Sequence, residues 1–236
     1  MKSGRWLLAA WLLSLLAQPL AATDDMASRG LDLFMSNKPA EAVPLLELAS
    51  RQAGVDETVF LYLGIACLQL TRFDEALTAF RRGLTVAVVN QHLFHFNIGN
   101  AFFMQNRNSF ALESYNQAIS SNQNYAPAYL NRANVQMRLG DTAAAVSDYG
   151  YYLALDPTSL QAPEIRRLVD LLTSRIADAA QVEALRQAQA QAEEQARAAM
   201  QAAVTQSLLD AAATTTNLSA GSGDVEGYED DLSLDD

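Results

Sequence analysis

The sequence contains few of the residues from which most active sites are built. It has one cysteine, Cys67, and two histidines, His92 and His95, in 236 residues. A single cysteine excludes an internal disulfide, and there is no glycine-rich phosphate loop, paired-cysteine motif or Gly-x-Ser-x-Gly elbow. The two histidines lie one helical turn apart, but no Cys, Asp or Glu on the same helix completes a metal-binding set, so packing explains His95 better. The sequence therefore predicts no enzyme activity, no cofactor and no metal site.

Basic residues are also scarce. The chain has 16 Lys and Arg against 27 Asp and Glu, a formal net charge of -11, and residues 198–236 contain eight acidic and no basic residues. A surface of this sign repels phosphate backbones and anionic lipid headgroups. We therefore expect neither nucleic acid nor an anionic membrane surface as a partner.

Hydrophobic runs long enough to cross a bilayer are absent. The apolar run at residues 6–17 has about 12 residues, whereas a spanning helix needs roughly 20. Lys2 and Arg5 precede this run, and Pro19 and small residues follow it, which is the pattern of a secretory signal peptide over residues 1–22. We expect an exported protein, periplasmic or secreted, without stable membrane insertion. An uncleaved anchor is the alternative.

The main positive feature is an internal repeat. Gly30, Gly64, Gly99 and Ala133 are spaced by 34, 35 and 34 residues. Each is followed at fixed distances by an alanine and then by a large residue, which gives Ala42 and Leu46, Ala76 and Phe80, Ala111 and Tyr115, and Ala145 and Tyr149. Apolar residues at spacings of three and four predict two helices in each unit, with the small residues allowing close approach.

This pattern resembles the tetratricopeptide repeat, a helix-turn-helix unit of 34 residues with small residues at its eighth and twentieth positions. The units are residues 23–56, 57–90, 92–125 and 126–159. The usual tryptophan at the fourth position is replaced, and only the last unit ends in the expected proline, Pro157. The resemblance implies an all-α solenoid of about four helix-turn-helix units, which binds proteins or peptides and is not catalytic.

The residues after the repeats predict three further segments. A capping helix is expected over 160–178, where Ile165, Leu168, Val169, Leu172 and Ile176 form an apolar stripe. An Ala- and Gln-rich helical extension follows over 179–213, without Gly or Pro. The acidic tail at 214–236 has too little apolar surface to order and is expected to be disordered, either as a docking peptide or as a solubilising tail.

The helical extension carries a weak heptad seam. Starting from Val182 and Leu185, its next positions are Gln189, Ala192, Ala196, Ala199, Ala203 and Gln206. Such small residues do not drive a strong coiled coil. A solvated helix and a weakly oligomerising coiled coil both fit this pattern.

The family resemblance also implies a binding surface, because the first helix of each unit lines the concave groove. The ligand-facing positions are Leu61, Ile65, Leu68, Phe96, Asn97, Asn100, Phe103, Leu130, Asn131, Asn134, Met137 and Arg138. Arg138 is the one basic residue among them, which argues against capture of a terminal carboxylate. The repeated asparagines either form a ladder for an extended peptide backbone or hydrogen-bond between helices.

Three functions remain open from the sequence. The first is an exported adaptor that binds an extended peptide or a partner domain in its groove. The second is an architectural subunit of an envelope complex, assembled as an oligomer through the long carboxyl-terminal helix. The third is an accessory subunit of an enzyme carried on another chain.

Export is expected to remove residues 1–22, since the short apolar run ends at Pro19 before a small-residue site that suits a signal peptidase. Mass spectrometry of the purified protein measures this directly. An intact Met1 on protein that stays with the membranes would contradict the expectation and favour an anchor.

Overall fold

A computed structural model describes residues 19–220, with side chains described from 25 to 214. All of the regular secondary structure in the described residues is α-helix. Its helices are α1 (Pro19–Met35), α2 (Pro39–Ala49), α3 (Glu57–Gln69), α4 (Phe73–Leu84), α5 (Gln91–Met104), α6 (Asn108–Ser121), α7 (Ala126–Leu139), α8 (Thr142–Leu155) and α9 (Ala162–Ala220). Pro19 is the first residue of α1, and the predicted cleavage point after Ala22 therefore falls in the first turn of this helix.

The first eight helices form four pairs, and a small residue facing a large one holds each pair together. A Cβ atom added to Gly64 in α3 would lie 2.2 Å from the Phe80 ring in α4, and one added to Gly99 would lie 2.5 Å from the Tyr115 ring. Gly30 faces Leu46 in the same way. Because the facing large side chains are fully buried, no space remains for a methyl group at these positions.

The turn inside each pair has the same backbone conformation. Asn37, Thr71, Asn106 and Gly140, spaced by 34, 35 and 34 residues, have φ angles of 58°, 58°, 59° and 85°. The next residue donates its N–H to a carbonyl five residues back, as in Arg72 to Cys67 at 2.8 Å and Asp141 to Gln136 at 2.9 Å. A residue in the left-handed conformation, followed by this hydrogen bond, is a common way to end a helix. It reverses the chain within two or three residues, so the two helices pack closely.

Contacts between successive pairs complete the stack. The ring of Phe94 in α5 fills the space that a side chain at Gly83 in α4 would need. A Cβ atom added to Gly83 would lie 2.1 Å from this ring. Arg132 in α7 donates two hydrogen bonds of 2.7 Å to the buried carboxylate of Asp148 in α8 and a third, of 2.8 Å, to Asn116 in α6. This bidentate pair raises the pKa of Arg132 above its ordinary value. It joins the third and fourth pairs through one side chain.

The described chain divides into two compact units, one ending at Ile176 and the other beginning at Ala177. In the first, the start of α9 packs on the fourth pair, where Leu172 joins a buried cluster with Ala133, Ala145 and Tyr149. Ile165, Leu168 and Val169 pack against this cluster, but Ile176 is 39% exposed and lies outside it. The packed stripe therefore ends at Leu172 and does not reach Ile176 as predicted, because no further helix pair follows the fourth to cover Ile176.

The second unit contains the rest of α9. This helix runs without a break through the predicted extension and on to Ala220, and it therefore includes the first seven residues of the predicted acidic tail, 214–236. The nearest helix-breaking residue is Gly221, and the threonines before it weaken a helix by only a few tenths of a kcal/mol each. Residues 221–236 of the predicted tail, like most of the predicted signal peptide, lie outside the described residues.

Replacing Gly64 with alanine should lower the free energy of unfolding by about 1–3 kcal/mol, because the new methyl group overlaps the buried Phe80 ring. Gly150, in α8, is the matched control because an added Cβ there meets nothing within 4 Å. Gly150→Ala should raise the free energy by roughly 0.5–1 kcal/mol through helix propensity alone. Urea unfolding measures both, and stabilisation by both substitutions would mean that Gly64 is not a packing position.

Candidate functional site

The first helices of the second, third and fourth pairs lie side by side and form the face that the family resemblance implies to be concave. Helix α5 contacts both α3 and α7. An open pocket of about 370 Å³ lies along these three helices. Its lining residues are Ile65, Leu68 and Gln69 from α3, Asn97, Asn100, Phe103 and Met104 from α5, and Asn131 from α7.

Half of the predicted groove residues line this pocket, namely Ile65, Leu68, Asn97, Asn100, Phe103 and Asn131. The other six lie outside it: Leu61, Phe96, Leu130, Asn134, Met137 and Arg138. Phe96 packs in an aromatic group, its ring 5.2 Å from that of Tyr125 and 5.8 Å from that of Tyr115. Leu61, Leu130 and Met137 pack against the buried core clusters.

The sequence prediction missed two lining residues, Gln69 and Met104. Both occupy the thirteenth position of their units, the position that Arg138 holds in the fourth unit. The signal was therefore present, since the thirteenth position belongs to the ligand-facing set. Met104 is 49% exposed and supplies an apolar rim to the pocket.

Arg138 borders this surface through Phe103. Its guanidinium carbon lies 3.8 Å from the centre of the Phe103 ring, and Nη1 donates a hydrogen bond of 3.2 Å to Asn106 Oδ1. A cation over an aromatic face gains roughly 0.5–1 kcal/mol at an exposed site. Arg138 therefore holds Phe103 in place at one wall of the pocket. None of the eight lining residues is ionisable.

Asn100 belongs to a hydrogen-bond network that crosses from the groove into the core. Its Oδ1 accepts a bond of 2.8 Å from the hydroxyl of Tyr115 and another of 2.8 Å from Asn131 Nδ2. Tyr115 is fully buried, and burial raises its pKa far above the ordinary value, opposed in part by Asn131 and Arg138. The carbonyl oxygen of Asn100 is therefore already occupied within the protein.

The fourth unit repeats this arrangement. The hydroxyl of Tyr149 donates a hydrogen bond of 2.7 Å to Asn134 Oδ1. In the first two units the same ninth position is Leu31 or Ile65, and the facing large residue is Leu46 or Phe80, which has no hydroxyl. Asparagine thus occurs where tyrosine needs an acceptor, a correlation that is visible in the sequence alone.

These internal hydrogen bonds determine which amide side chains are free to bond to a peptide backbone. Asn97 donates its Nδ2 to the carbonyl oxygen of Leu93 in its own helix at 2.8 Å. Among the described residues, by contrast, Asn131 Oδ1 accepts no hydrogen bond, and the amide of Gln69 forms none. Both line the pocket. Asn131 and Gln69, rather than Asn100 and Asn134, therefore present free polar groups at the concave surface.

The two histidines lie in α5, away from these lining residues. Burial lowers the pKa of both His92 and His95 below the ordinary value, so each is neutral near pH 7. Within residues 19–220, no group of three or more His, Cys, Asp or Glu side chains is placed to hold a metal ion. No helix in that range is long and apolar enough to span a membrane.

Three family models of repeats match the chain. One described as a tetratricopeptide repeat matches residues 28–87, one described as a TPR repeat matches 94–140, and a second tetratricopeptide repeat model matches 126–159. Together they cover more than half of the 236 residues. The chain belongs to the tetratricopeptide repeat family. Its repeats are of the kind that serves as a protein–protein interaction scaffold.

Solved structures give the same tetratricopeptide fold. MamA from Desulfovibrio magneticus RS-1 is 17% identical with a TM-score of 0.57, over 66% of this chain and 86% of that one. A tetratricopeptide repeat protein from Parabacteroides merdae is 16% identical, also with a TM-score of 0.57, over 66% of this chain and 61% of that one. No curated protein sequence matches the chain. At these identities the likeness concerns the fold alone.

Asn100→Ala should lower the free energy of unfolding by about 1–3 kcal/mol, because it leaves the buried hydroxyl of Tyr115 without an acceptor. Asn97→Ala is the matched control, since the Nδ2 of Asn97 bonds only its own helix, and it should change stability by less than about 0.5 kcal/mol. Circular dichroism in urea compares them. Equal stability of the two variants would mean that the Asn100–Tyr115 bond contributes nothing to this tetratricopeptide array.

Proposed function

We propose that this protein is a non-catalytic adaptor of the cell envelope, which binds an extended, uncharged segment of a partner protein in the groove of its repeats. The observation that carries the proposal is the pocket along α3, α5 and α7. It joins apolar side chains with the free amide of Gln69 and the free Oδ1 atom of Asn131, and none of its lining residues is ionisable.

The chemistry of the pocket indicates the kind of segment it fits. Ile65, Phe103 and Met104 offer apolar contact. Gln69 offers a donor and an acceptor, and Asn131 offers an acceptor, which are the groups that pair with peptide N–H and C=O. An acidic carboxyl-terminal peptide fits less well, because Arg138 is the one predicted groove residue that is basic and it is already stacked on Phe103.

The envelope location rests on the amino-terminal sequence. Lys2 and Arg5 before a short apolar run, followed by Pro19, support export. The folded part has one cysteine, Cys67, which is buried, so the fold needs no disulfide in an oxidising compartment.

The test begins with the purified protein as bait in an envelope extract, followed by synthesis of the captured protein's binding segment as a peptide. Met104→Glu is expected to raise the dissociation constant of that peptide roughly ten- to hundredfold, because an unpaired carboxylate would be desolvated in an uncharged pocket. Calorimetry measures the constant. Folding should be unaffected because Met104 is 49% exposed.

Leu48→Glu is the matched control. Leu48 is 44% exposed, but it lies on α2, outside the pocket, so its replacement should leave affinity unchanged. Unchanged affinity in Met104→Glu would place the peptide elsewhere. Equal loss in both variants would indicate a general effect of negative charge and would remove the pocket from the proposal.

A further inference from the structure

Helix α9 carries a long face on which no described residue packs. Side chains at residues 173–210 are all exposed, including those of Val182 at 61% and Leu185 at 59%. A helix that belongs to a folded protein normally buries its apolar stripe against another element. Over residues 177–220, which are the described part of the second compact unit, this helix is the one element present and offers no such partner of its own.

The exposed face has the layout of a short coiled-coil seam. With Val182 and Leu185 at the first a and d positions, the seam continues through Gln189, Ala192, Ala196, Ala199, Ala203 and Gln206. The a, d and g positions from residue 181 to 206 hold no charged side chain. Alanine on such a face lets two helix backbones approach closely, near the lower end of the roughly 8–10 Å spacing of packed helices.

Charges flank the seam at the e positions only. Arg186 and Glu193 occupy successive e positions and are of opposite sign, whereas Glu183, Glu194 and Arg197 lie at b and f, away from the seam. Arg186 Nη1 lies 3.6 Å from Glu183 Oε2, and the Arg186 side chain is 77% exposed. Solvent screens such an exposed ion pair strongly. Glu193 forms no ion pair with any described residue.

We propose that two copies of this chain associate through this face with their helices antiparallel. In antiparallel coiled coils the e positions of the two helices face each other, so Arg186 of each copy meets Glu193 of the other. In a parallel pair the e positions would face Gln181, Ala188 and Gln195 at g, which carry no charge. The charge pattern therefore selects a second copy of the chain, and the antiparallel direction.

The size of the seam residues agrees with the same arrangement. The antiparallel register that aligns a with d places Val182 opposite Ala199 and Leu185 opposite Ala196 of the second copy. Val182 and Leu185, the two large residues of the seam, then each meet an alanine, as packing of a close helix pair requires. In the parallel register the large residues would meet each other, and every other seam residue would face its own kind, alanine against alanine or glutamine against glutamine.

The test measures the oligomeric state of the full chain by sedimentation equilibrium over a range of concentrations. The wild-type chain should show a reversible monomer–dimer equilibrium. Arg186→Glu and Glu193→Arg should each weaken self-association by about tenfold or more, because each variant gives both e positions the same sign. An equimolar mixture of these two variants should associate like the wild type, since every facing pair is again opposite in charge.

Arg197→Glu and Glu194→Arg are the matched controls, because they make the same charge changes at the b and f positions and should leave association unchanged. Far-UV circular dichroism checks that all variants keep their helix. A wild-type chain that is monomeric throughout would overturn the proposal. So would a dimer that none of the variants weakens, or a mixture of the two e-position variants that fails to associate.

Discussion

Each helix pair depends on one close approach, that of a small residue in the first helix to a large one in the second. Gly64 against Phe80 and Gly99 against Tyr115 leave no room for a methyl group. The distance between the two helices follows from these contacts, and so does the direction in which the next pair can stack. The left-handed turns at Thr71 and its counterparts serve the same end, since they reverse the chain in too few residues for a looser packing.

The concave surface is a consequence of this packing. When the second helices fill the space behind the small residues, the first helices come together as a layer, with α5 in contact with α3 and α7. Residues one turn apart on each of these helices then face the same open pocket. The position of Gln69, Met104 and Asn131 is therefore set by small residues and the aromatic rings that face them on the other side of the same helices.

The repeat and its packing pairs could be predicted from the sequence because they depend on residue size at fixed spacing, as with Gly64 and Phe80. The hydrogen bonding of the groove was harder to predict. An amide such as that of Asn100 suits a ligand or a neighbour equally well, and only the hydroxyl of Tyr115 decides between them. The ends of the packed stripe and of the last helix were also hard to predict, because the sequence pattern does not show where packing partners stop. Ile176 continues the apolar period but is 39% exposed, and the helix continues to Ala220 because no Gly or Pro lies between Pro163 and Gly221.

The two hydrogen bonds to Asn100 Oδ1 link partner binding to the stability of the protein, and so to its rate of degradation in a cell. This atom accepts hydrogen bonds from buried Tyr115 and from groove-facing Asn131, so a ligand bound to Asn131 would contact the same network that joins α5 to α6. A ligand that binds only the folded state adds stability that grows with the logarithm of its concentration. Copies without a partner would thus open more often and reach proteases sooner, and the amount of this protein would follow the supply of what it binds.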